Sequence, residues 1–142
     1  MRFGGRTSTR ARRGLLAALV VTLLAVAAVM VAVPQLRDRS QQRLEQRADR
    51  EVTATAQRTR SELLAEPAAP VARLRRTADD VDGVEVLAVE QGDGVRLVFR
   101  VRVAKTASTV FGWQRATAVE CFAQLVRPGA GPAGLERLPC PA

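Results

Sequence analysis

Hydrophobic and polar positions follow three successive patterns along this chain. The first is an unbroken apolar run: Gly14 to Val33 is 20 residues without a charge, and Thr22 is its one polar side chain. As a helix, such a run spans about 30 Å, the thickness of a bilayer's hydrocarbon core. A removable signal has a shorter apolar region, about 7–15 residues, and a small-x-small exit. Ala25-Val26-Ala27 has that form but sits inside the run, with Val29, Met30 and Val31 still to come. The run therefore reads as a retained transmembrane signal-anchor helix over 14–33, preceded by a basic tail over 1–13.

The second pattern has the helical period. Over 35–66, Leu44, Ala48, Val52, Ala56 and Leu63 recur on one side at spacings of three or four residues or their multiples, among Arg, Gln, Glu and Asp. This predicts a juxtamembrane amphipathic helix over 34–66. Its thin, alanine-rich stripe suggests a solvated stalk that docks only near Leu63 and Leu64, or alternatively a dimerising coiled coil, although sustained apolar heptads are missing. Pro67 stops this helix. A connector over 67–83 holds one more short helix, Val71 to Ala78, where Arg75–Asp79 and Arg76–Asp80 have ion-pair spacing.

From Val84 the period changes to two. "VEVLAVE" predicts a strand, "QGDG" a hairpin loop and "VRLVFRVRV" a second strand. In that strand Val95, Leu97, Phe99, Val101 and Val103 face one way, and Arg96, Val98, Arg100 and Arg102 the other. "AKTAST" reads as a break. A third extended region covers about Val110 to Val126, with Thr117, Val119, Cys121, Ala123 and Leu125 on one face. "RPGAGPAG" is a loop, and "LERLPCPA" a short edge strand stopped by Pro139 and Pro141. The fold class is α+β: a transmembrane helix, a juxtamembrane helix, and a small antiparallel sheet of three to four strands over 84–142, closed by one disulfide.

Composition refines this picture. The net charge of +8 suggests nucleic acid, but Arg2, Arg6, Arg10, Arg12 and Arg13 carry five of those charges in the tail, and Lys105 is the sole lysine against 21 arginines. A nucleic-acid binder keeps its basic surface in the folded domain, so nucleic acid is not an expected partner. Five arginines also follow the run (Arg37, Arg39, Arg43, Arg47, Arg50), so flanking charge does not settle orientation. The acid-free tail and the two cysteines settle it as N-terminus cytoplasmic and C-terminal domain extracytoplasmic, at the cell membrane in a single pass. A sheet core of about 75 residues is marginal, and a Cys121–Cys140 bond would close a loop of about 20 residues, stabilising the fold by about 3 kcal/mol.

Chemistry is sparse. The chain has no His and no Tyr, which removes the commonest general base and metal ligand. "DDVDG" fails as a calcium loop: with Asp80, Asp82 and Gly83 in register, Ala78 and Val89 fall on ligand positions. An enzyme would need Asp79, Asp82 or Glu120 with a metal, and the spacing does not ask for one. No catalytic residue, metal site or cofactor is expected. Two surface candidates remain. Arg96, Arg100 and Arg102 form a stripe suited to an anionic surface, unless Glu85 or Glu120 balances it. Phe111 and Trp113, around Gly112, are a candidate partner patch.

The order of basic tail, single span, Arg/Ala-rich helix and β-hairpin, with "ECFAQLV" and a terminal "LPCPA", resembles small uncharacterised single-pass membrane proteins of high-GC Gram-positive bacteria. That resemblance implies no particular activity. The chain also resembles pilin-like and TadE-like proteins, in which Gly14 would be the last leader residue and Pro34 a helix kink. Leu19 stands where that family places a glutamate. The leading expectation is a membrane-anchored extracytoplasmic binding or scaffolding module, not an enzyme. Its partners would be the lipid bilayer and a protein, with self-association through the 35–66 helix as one form. The alternatives are a pilin-like or secretion-apparatus subunit and an accessory subunit of a membrane enzyme or transporter.

Overall fold

The computed structural model describes residues 8–110 and 112–141, so the tail over 1–7 and Phe111 lie outside the described residues. The elements run α1 (Ser8–Ala65), α2 (Val71–Asp79), β1 (Val84–Gln91), β2 (Val95–Thr109), β3 (Gly112–Val126) and β4 (Glu136–Leu138). The chain divides into two compact units, Met1–Ser40 and Gln41–Ala142.

In the first unit the apolar run is helical throughout, and its leucines and valines are exposed. It is the one stretch among the described residues long and apolar enough to cross a membrane. Thr22 Oγ1 donates to the Ala18 carbonyl at 2.8 Å, so the only polar side chain in the run is satisfied within its own helix. Helical geometry continues through Pro34, at the cost of the hydrogen bond that a proline cannot donate.

The second unit is two layers. A four-stranded antiparallel meander, order β1-β2-β3-β4, carries the α1 segment 41–65 and α2 on one face. The amphipathic stripe explains the packing. Ala48, Val52, Ala56 and Leu63 are 0% exposed and Leu44 nearly so, and all share one core with Leu97, Phe99, Val101, Ala116, Ala118, Phe122 and Val126. Alanines let the helix backbone approach the sheet closely. The segment is therefore a layer of the domain along its whole length, which corrects the expected stalk docked only at Leu63 and Leu64. The stripe a coiled coil would use is covered by the sheet.

α2 starts after Pro70 and buries Leu74 and Ala78 in the same core. Of the two expected ion pairs, Arg75–Asp79 forms at 3.8 Å; Arg76–Asp80 does not, among the described residues. In β1 the register shifts between Val86 and Ala88. This bulge re-phases the strand, so Val84 and Val86 before it and Val89 after it all face the core.

β2 runs on through "AKTAST", which corrects the expected break. β2 and β3 pair without interruption from Val95↔Val126 to Thr109↔Gly112, where a two-residue turn joins them. Gly112 takes φ +98 there, a conformation only glycine adopts without strain. In β3 the core face is Gln114, Ala116, Ala118, Phe122, Gln124 and Val126. Thr117, Val119, Cys121, Ala123 and Leu125 do share a face, but it is the one turned away from the helices. The C-terminal segment covers that face at Cys121 and Ala123, which are buried. β4 pairs antiparallel with β3, Cys121 opposite Leu138.

Candidate functional site

Cys121 and Cys140 form a disulfide with a Cα–Cα distance of 5.1 Å. It ties the centre of β3 to the chain beyond β4 and leaves no free thiol among the described residues. These residues do structural work and offer no redox site.

The arginine stripe is largely neutralised. Arg96 pairs with Glu136 at 3.0 Å and Glu90 at 3.2 Å. Its hydrogen bond to Glu136, then that to Glu90, hold the guanidinium above its ordinary pKa. Arg100 lies 3.5 Å from Glu85. Arg102 forms no ion pair among the described residues, and its backbone N–H donates to the Gly83 carbonyl at 2.8 Å. Meander topology explains the neutralisation: the acids of β1 stand opposite the arginines of β2, and Glu136 of β4 meets Arg96 from the far side of β3. Glu120, the other candidate counter-charge, points to the helix side and pairs with Arg137 at 2.8 Å. The Arg137 guanidinium also lies 5.9 Å from the Phe122 ring centroid.

Of the other acidic candidates, Asp79 is structural. Asp79 Oδ1 accepts from the Val86 N–H at 3.1 Å, joining the end of α2 to β1. Gly83 follows with φ +80. Three or more His, Cys, Asp or Glu side chains never converge as metal ligands among the described residues.

Two surface features stand out. One is the β2–β3 turn, where Val110 and Trp113 are 95% and 82% exposed. Trp113 therefore does not cap the core, the commoner role for such an aromatic. The other is an open cleft of about 800 Å³. Gln57, Arg60 and Leu64 of α1 form one wall, and Leu125, Arg127 and the glycine- and proline-rich loop the other. Gln124 Nε2 donates to the Ala133 carbonyl at 3.2 Å, which fixes the loop. The lining contains no carboxylate. Arg60 and Arg127 enter no ion pair among the described residues, and Arg60 Nε is buried without a hydrogen-bond partner. An apolar floor with two guanidiniums is suited to an anionic group. Sequence reasoning missed this cleft, because "RPGAGPAG" signals a loop and nothing in it signals the helix wall opposite.

Compared with known protein families, curated proteins and solved structures, the chain matches none.

Proposed function

We propose that this protein is a membrane-anchored extracytoplasmic domain that works by binding, not by catalysis. One observation carries the reading: a span-length apolar helix precedes a domain closed by the Cys121–Cys140 disulfide. Disulfides persist in oxidising compartments, so the bond supports export of everything after the span. The N-terminus then stays in the cytoplasm. The cleft between α1 and the 127–134 loop is the binding surface, and its lone arginines favour an anionic group on the partner.

The test is the intact mass of the chain extracted from its native membrane, before and after reduction and alkylation. The anchored reading expects the span retained, with both cysteines alkylated only after reduction. A chain beginning at Leu15 would instead establish leader cleavage of the pilin type. Thiols that alkylate without reduction would place the domain in the cytosol and end this proposal.

A further inference from the structure

Among the described residues of the second unit, Val110 and Trp113 are the two most exposed large apolar side chains, and Trp113 is the only tryptophan in the chain. A single exposed valine is ordinary. A valine at the turn and an indole on the first residues of β3, both highly exposed, contribute nothing to the core. An indole combines a large apolar body with one N–H donor, and this favours the boundary between headgroups and acyl chains.

The fold gives this turn a direction. Gln41 Nε2 donates to the Arg115 carbonyl at 3.2 Å. Ten residues further along β3, Leu125 lines the cleft with Gln57, Arg60 and Leu64. Moving along the hairpin toward its turn is therefore moving toward the N-terminal end of the 41–65 segment. Gly112 lies three residues beyond Arg115, so the turn extends about 10 Å along the strand past the residue that Gln41 touches. The apolar run ends at Val33, eight residues before Gln41. Eight helical residues cover about 12 Å, and this covalent tether alone keeps the turn close to any bilayer that the run crosses. Charge agrees. No acid occurs between Lys105 and Glu120, and the exposed Arg115 stays outside every ion pair among the described residues, available to a lipid phosphate.

We propose that the β2–β3 turn is a second membrane contact: Val110 and the Trp113 indole insert at the headgroup level of the leaflet facing the domain, with Arg115 against lipid phosphate. The inference rests on the reading of the apolar run as a bilayer span. Inserted in this way, the hairpin would restrict how the domain tilts on its tether.

The test uses the full chain reconstituted in phosphatidylcholine vesicles, with and without phosphatidylglycerol. Alkaline extraction reports the span and Trp113 fluorescence reports the turn, with no second tryptophan to subtract. The expected result has the chain resisting extraction while Trp113 emission is blue-shifted, sheltered from iodide and strongly quenched by lipids brominated near the headgroup. Bromines near the chain ends should quench it less, and Val110→Ser should shift emission back to the red. A chain that resists extraction while Trp113 emits as a solvated indole open to iodide overturns the turn contact and leaves the span standing. A chain that leaves the vesicles at alkaline pH overturns both.

Discussion

Val52→Ala separates a packed helix layer from a tethering stalk, because the two arrangements give opposite signs. Val52 is fully buried between α1 and the sheet. Removing its two methyl groups forfeits about 1.6 kcal/mol of transfer free energy at ~0.8 kcal/mol per group. Incomplete closure of the void adds up to about 1 kcal/mol. The higher helix propensity of alanine returns about 0.5 kcal/mol. The net expectation is a loss of about 2 kcal/mol. At a urea sensitivity of about 1–1.5 kcal/mol per molar, the unfolding midpoint falls by about 1–2 M. The assay is limited proteolysis of the β2–β3 hairpin across a urea series, on the full chain in lipid nanodiscs. Thr53→Ala is the control, one position along and exposed, and should stay within about 0.5 kcal/mol. On a stalk, Val52→Ala would leave the hairpin unchanged or slightly stabilise the helix. An unchanged midpoint would refute the packing argument.

Two further outcomes follow from the geometry. Replacing Cys121 and Cys140 together by alanine releases a loop closed across 19 positions, and thermal unfolding by circular dichroism should show a loss of about 3 kcal/mol; an unchanged melting temperature would mean that the loop is held by its other contacts. Gly83→Ala forces φ +80 on an L residue and sets its Cβ 2.6 Å from the Arg102 carbonyl oxygen, so a loss of about 1–3 kcal/mol is expected in the same assay, whereas Gly92→Ala, with open space around it, should be near neutral.

Much of the architecture was legible because one-sided burial leaves a period. The apolar run, the alternation in β2 and the pairing of the two cysteines all follow from counting. The face of β3 did not. Its outer set, Thr117 to Leu125, is more apolar than its inner set, which includes Gln114, Glu120 and Gln124. The less apolar set faces the helices because its polar groups have local uses. Gln124 holds the loop and Glu120 meets Arg137 at the sheet edge. The tail pinned by the disulfide buries Cys121 and Ala123 from outside. The strand through "AKTAST" has no signature in the sequence because its core-facing residues after Val103 are Lys105 and Ala107, a pattern without hydrophobic contrast. The Phe111 position of the aromatic patch lies outside the described residues, and only its Trp113 part is placed. The cleft needed tertiary structure, since its walls are some 65 residues apart in sequence.

The Lys105–Glu51 ion pair, 2.6 Å long, joins β2 to α1, and it contains the only side-chain amine in the protein. Activating carboxylates with a carbodiimide would convert this contact into an amide bond between the helix and the sheet. The product would be a chain with a second, irreducible crosslink across its two layers. A reagent that consumes amines would modify the domain at that position alone. The folded unit 41–142 therefore carries one built-in attachment point for a dye or spin label, distinct from the α-amino group of the chain, and no residue has to be engineered to create it.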